Sequence, residues 1–144
     1  MAQLPHGEKH HHEPIKSAAH KAYLCACMDH RFFERTLTEF REIAGTRMVY
    51  LETEAGGAPS FGSEPSSARL AYDVPAISAR IMGWAAHGDG CGGFPGRTND
   101  EMREKLIATV KERMRDFPDV RHIALFATEA PDGGVDVEVW QFKA

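Results

Sequence analysis

The sequence predicts an α/β fold, with a mostly parallel central sheet flanked by helices and closed by an antiparallel C-terminal hairpin. Three observations carry this reading. A short apolar run at 22–28 stops abruptly at polar residues, as a strand buried on both faces does. Stretches of helical period follow such runs. The last two strand-like runs are joined around Pro131-Asp132-Gly133-Gly134, which suits a hairpin turn.

Residues 1 to 18 carry Pro5, Gly7, Pro14 and the run Lys9-His10-His11-His12-Glu13 without any period, and read as a loose arm. Residues 19 to 144 read as one domain. Its first strand is Ala22-Tyr23-Leu24-Cys25-Ala26-Cys27-Met28, ended by Asp29-His30-Arg31. Phe33, Leu37, Phe40 and Ala44 then recur at helical spacing, and Gly45 stands where a C-terminal helix cap is expected. Arg47 to Leu51 is a second strand, emptying into the small residues Ala55-Gly56-Gly57-Ala58-Pro59. A Gly-, Pro- and Ser-rich loop to Ser67 follows. Ile81, Met82, Trp84 and Ala86 fit strand or helix equally; the stretch is read as a helix near Ser66 to Ser78, kinked or restarted at Pro75, followed by a strand into His87. Thr98-Asn99-Asp100-Glu101 is a capping box, and Met102, Leu106, Val110 and Met114 mark the helix behind it as far as Arg115. Val120 to Ala127 and Val135 to Phe142 form the hairpin.

The composition excludes several classes of function. The 144 residues are 42% apolar, and 17 Lys and Arg against 21 Asp and Glu leave a net charge of −4. No basic excess is available to capture nucleic acid or an anionic membrane. No uncharged apolar stretch approaches the ~20 residues of a membrane-spanning helix, and acids and histidines stand near the N-terminus where a signal peptide would have its apolar run. The expectation is a cytoplasmic protein. Three cysteines, an odd number in a chain able to form its own core, argue for thiols with chemical or metal-binding work.

In open α/β sheets ligands bind beyond the carboxyl ends of the strands, where Cys27, Asp29, Arg31, Gly56, Gly57, His87 and Cys91 would all fall. His87-Gly88-Asp89-Gly90-Cys91-Gly92-Gly93 sets an imidazole and a thiol four residues apart among glycines that permit sharp turns. Cys27 supplies a second thiol from another strand end. A Cys2His set suits zinc, whose fourth position is open to water or substrate in catalytic sites. The plainer role for a free cysteine is a small buried apolar residue, and Cys25, inside the run, fits that role. A redox role for Cys25-x-Cys27 is disfavoured, because no helix N-terminus is at hand to activate the pair. Asp29 and Arg31, two residues apart, are expected on one extended face with Cys27, the guanidinium keeping the carboxylate ionised and oriented. Taken alone, that pair would be an exposed ion pair of small worth.

Cys27-Met28-Asp29-His30-Arg31, the Ala55-Gly56-Gly57 loop and His87-Gly88-Asp89-Gly90-Cys91-Gly92 together resemble the β-class carbonic anhydrase family. That family has a Cys-x-Asp-x-Arg segment at its first strand end and a His-x-x-Cys-Gly segment later, here with one further residue between histidine and cysteine. The resemblance covers roughly Lys21 to Phe142. It implies Zn2+ on Cys27, His87 and Cys91, an Asp29–Arg31 catalytic dyad, and a homodimer. The activity it implies is hydration of CO2 to bicarbonate by a zinc-bound hydroxide, with Gly56, Gly57 and Gly92 near the substrate or anionic product. The alternatives are a non-catalytic zinc-binding or metal-sensing protein of the same fold, and a hydrolase of a CO2-like molecule such as COS or CS2.

Overall fold

A computed structural model describes residues 7–11, 20–60 and 78–142. Its elements are β1 (Ala22–Cys27), α1 (Phe33–Ala44), β2 (Val49–Glu54), β3 (Ile81–His87), α2 (Asn99–Asp116), β4 (Arg121–Glu129) and β5 (Val135–Phe142). The five strands form one sheet in the order β2-β1-β3-β4-β5. β1 pairs in parallel with β2 and β3, β3 pairs in parallel with β4, and only β5 runs antiparallel. The α/β class, the parallel core and the closing hairpin are as the sequence reads.

Alternation of side chains along the strands divides the core between two helix layers. On one face Tyr23, Cys25, Met82, Trp84, Ala124 and Phe126 pack with Met102, Leu106 and Val110 of α2. On the other, Leu24, Ala26, Ile81, Ala85, Ile123 and Leu125 meet Phe40 and Ala44 of α1. This is why every residue of β1 and β3 is buried. Gly83 makes room for α1, since a Cβ there would lie 2.4 Å from the Phe40 ring.

α2 begins on the capping box read from the sequence: Glu101 N–H donates to Thr98 Oγ1, and the Glu101 carboxylate accepts from the Thr98 N–H. α1 ends on Gly45, whose φ of 68° is left-handed and whose N–H donates to Arg41 O at 3.0 Å. Three strands differ from their expected limits, β1 only by ending at Cys27 instead of Met28. The second strand starts at Val49, not Arg47, because Thr46 Oγ1 accepts from Met48 N–H and donates to His20 O, holding a turn there. It then runs through Glu52 to Glu54, where acids are tolerated because β2 is an edge strand with half-buried or exposed side chains. β4 extends two residues further than expected, to Glu129, which pairs with Val135. The expected helix near Ser66 to Ser78 and most of the N-terminal arm lie outside the described residues. Among the described residues no helix is long and apolar enough to cross a membrane.

Candidate metal centre

Parallel pairing brings the carboxyl ends of β1 and β3 side by side, and their last residues are Cys27 and His87. Beyond β3 the glycine-rich turn folds back through a short bridge between Cys91 and Phe94. Cys27, His87 and Cys91 thereby meet, with their ligand atoms all within 4.8 Å of one another and all three residues buried. Cys25 lies on the same face two residues earlier, fully buried in the apolar core, and takes no part in the cluster.

The imidazole is preset for a ligand. Nδ1 lies 2.8 Å from Gly88 O, and a carbonyl only accepts, so Nδ1 carries the proton and Nε2 presents its lone pair. That buried Nε2 has no nitrogen or oxygen hydrogen-bond partner. The Phe32 ring stacks on the imidazole at 4.7 Å and fixes its plane. Burial acts to raise the Cys27 thiol, but the His87 side chain and the N–H groups of Asp29 and Gly56 outweigh it and lower the thiol to about 7. Cys91 is pushed up, chiefly by burial, although the Gly93 and Phe94 N–H groups point at its sulfur. Burial disfavours the charged form of His87, yet contact with Cys27 and with Gly88 O raises its pKa overall. Two thiols, one of them readily ionised, and an unpartnered imidazole nitrogen make a donor set that fits a soft divalent cation.

Beside the cluster stands the Asp29–Arg31 ion pair. Arg31 Nη2 donates to Asp29 Oδ2 at 2.8 Å, Arg31 Nε reaches both carboxylate oxygens, and the Arg31 backbone N–H donates to Asp29 Oδ1 at 2.9 Å. The Arg31 guanidinium holds the Asp29 carboxyl down at about 2. Asp29 Oδ2 lies 3.6 Å from His87 Nε2. The segment is not extended as expected. The chain turns at Asp29, whose carbonyl accepts from Phe32 and Phe33 N–H and whose side chain caps the turn through Arg31 N–H. The pair still faces the cluster, through a turn instead of an alternating strand.

The three glycines singled out in the sequence have separate surroundings. Gly56 directs its N–H to Cys27, and Gly57 donates to Glu54 O while packing where a Cβ would lie 2.3 Å from Ala85 O. Gly92 faces open space. A cavity of about 10 Å³, on the order of one water, lies against Cys27, His87 and Phe32. Sequence reading missed Asp89, Asn99 and Glu129, which surround Arg31 and its loop. The Gly-Asp-Gly context of Asp89 signalled a turn; nothing in the sequence signalled Glu129.

No family model and no curated protein matches the chain. Among solved structures it is similar to one of the tetrameric beta-carbonic anhydrases from the filamentous ascomycete Sordaria macrospora, with a TM-score of 0.44 and 14% identity over 86% of this chain and 83% of that one. The likeness is too distant to assign a role to any residue, and the metal centre rests on its own geometry.

Proposed function

We propose that this protein is a zinc enzyme of the β-carbonic anhydrase type, interconverting CO2 and water with bicarbonate and a proton. The observation that carries the reading is one juxtaposition: a Cys27–His87–Cys91 donor set with an ionised, arginine-held Asp29 carboxylate 3.6 Å from its imidazole. Cys27, His87 and Cys91 would hold the ion, and zinc at such a set supplies Lewis acidity that lowers the pKa of water toward ~7. Asp29, with its carboxyl at about 2, is an acceptor at neutral pH and a poor proton carrier. Its part is to accept a hydrogen bond from the attacking water and so orient the oxygen lone pair toward the carbon of CO2. Arg31 keeps that carboxylate ionised and in place. The Gly92 backbone, in open space beside Cys91, is available to the anionic product. Reduced thiols go with a cytoplasmic location.

The distance that supports this reading also favours a second one. Ligands around tetrahedral zinc stand about 3.3–3.5 Å apart, given Zn–N and Zn–O bonds near 2.0–2.2 Å. Asp29 Oδ2 is therefore close enough to complete the coordination itself, which would make a closed, non-catalytic zinc protein. Elemental analysis combined with stopped-flow CO2 hydration separates the two. One zinc per chain with hydration supports the enzyme; full zinc with no hydration of CO2, COS or CS2 at neutral pH refutes it and leaves the closed site.

A further inference from the structure

Asp89 is the only non-glycine residue among those described with a left-handed backbone, at φ 56°. Aspartate tolerates that conformation better than most residues, but it carries a cost, and structures keep it where neighbours over-determine the turn. Here they do. Asp89 Oδ2 accepts the Glu129 N–H at 2.7 Å, and Asp89 N–H donates to Asn99 Oδ1 at 2.8 Å. The Gly88 N–H donates to Ala127 O at 2.9 Å, and a Cβ on Gly88 would lie 2.4 Å from Asn99 Oδ1. The turn between His87 and Cys91 is thus fastened to the end of β4 and to the first residue of α2.

Fastened this way, the turn aims two successive carbonyls at one side chain. Arg31 Nη1 donates to Asp89 O at 3.1 Å and Nη2 donates to Gly90 O at 2.8 Å. With Nε and Nη2 on Asp29 and Nη1 also on Glu129 Oε1 at 3.3 Å, each of the five guanidinium N–H groups has an acceptor. A planar fork so bound has one orientation. The extra acceptors matter because an exposed ion pair alone is worth only ~0–1 kcal/mol. That is little to restrain a carboxylate standing 3.6 Å from a nitrogen of a cation site.

We propose that Asp89 is a positioning residue for Asp29: by shaping the 88–90 turn it keeps Arg31 on the Asp29 carboxylate and keeps that carboxylate from becoming a ligand of the Cys27–His87–Cys91 set. The proposal rests on the metal-centre reading above and adds to it the residue that decides whether the fourth position stays open. Without the Asp89 side chain, the turn loosens, the two carbonyls leave Arg31, and Asp29 is released toward the cluster.

The test uses the full chain loaded with cobalt(II), whose visible bands report coordination, and sodium azide as a probe of an exchangeable fourth position. Asp89→Gly removes the carboxylate without straining the left-handed backbone; Asp89→Asn keeps both the conformation and an oxygen for the Glu129 N–H. The expected result is an azide-responsive spectrum in the wild type. Asp89→Gly should weaken azide binding by about tenfold or more, about 1.4 kcal/mol, while Asp89→Asn stays near the wild type. The double variant Asp89→Gly/Asp29→Asn should regain the response, since no carboxylate is left to compete. A cobalt-loaded Asp89→Gly protein that binds azide as the wild type does overturns the proposal, as does a loaded wild type blind to azide or a double variant that stays unresponsive. A chain that takes up no cobalt refutes the metal centre instead. The positioning of Arg31 is then decided on the metal-free chain by NMR: resolved Arg31 Nη–H signals that collapse in Asp89→Gly and persist in Asp89→Asn support it, and signals unchanged in Asp89→Gly overturn it.

Discussion

His122 gives the protein a built-in sensitivity to acid whose size follows from its surroundings. The residue is 1% exposed; its Nδ1 accepts the Trp84 Nε1–H at 3.0 Å and its Nε2 donates to Phe117 O at 2.8 Å. Both nitrogens are satisfied by the neutral ring, and a proton added at Nδ1 would face the Trp84 N–H. Burial accordingly holds the imidazole below its ordinary value of 6.5, against the smaller opposing effect of the Phe117 carbonyl. The unfolded chain therefore binds more protons below that value, so the stabilisation is present above about pH 6.5 and is lost as pH falls toward the folded pKa. If the native ring stays neutral throughout, lowering the pH from about 7 to about 5 costs at most about 2 kcal/mol. His122→Gln removes the titration while leaving an amide that can serve both partners. Urea unfolding followed by tryptophan fluorescence, with metal chelated, gives the stability of each protein at both pH values. Other titrating groups, His87 and Cys27 among them, contribute alike to both proteins and cancel in the difference. The variant should lose less stability on acidification than the wild type, by up to that amount; identical pH dependences would refute the assignment of a neutral, doubly bonded His122.

Cys27→Ser and Cys91→Ser should each abolish stoichiometric zinc by elemental analysis, whereas Cys25→Ser should retain the metal and lose about 1–3 kcal/mol in chemical denaturation by burying a hydroxyl in the apolar core. Asp29→Asn should keep the metal and reduce CO2 hydration by about 100-fold or more, because an amide can present a donor where the nucleophile needs an acceptor. Gly57→Ala would place a Cβ 2.3 Å from Ala85 O and 2.9 Å from Cys27 N at a φ of 67°, so it should cost about 1–3 kcal/mol in thermal unfolding and weaken zinc against a competing chelator. A homodimer is expected by sedimentation velocity, with Tyr50 and Leu51, each 39% exposed on edge strand β2, as the apolar surface to be covered; a monomer at micromolar concentration would count against it.

What the sequence revealed depended on how local the cause was. β1 is buried on both faces and its composition marked it; β3 is buried likewise, but its short run of Ile81, Met82, Trp84 and Ala86 fits a buried helix equally well in sequence, while the Thr98 capping box marked the start of α2 within a residue. β2 was harder, because at a sheet edge acids such as Glu52 and Glu54 carry little penalty and the apolar run ends before the strand does. The candidate ligands were legible because soft residues at strand ends have few other reasons to be there. The turn at Asp29 was misread as extended, since the hydrogen bonds that close it come from Asp29's own side chain and carbonyl. The ring around Arg31 was invisible: its acceptors at Asp89, Gly90 and Glu129 are joined to it only by tertiary pairing.

The placement of Cys27 and His87 on neighbouring central strands has a consequence for how the chain assembles. All of α1, β2 and the 55–80 segment separate the two residues in the chain. β1, α1 and β2 can come together early, yet that unit contains one soft ligand and no site. The donor set exists only once β3 has docked beside β1, so metal uptake during refolding would be a clock for the closing of the sheet's midline. Bound metal would then protect that seam selectively, slowing amide exchange in β1 and β3 while leaving β5, two strands away, to open at its own rate.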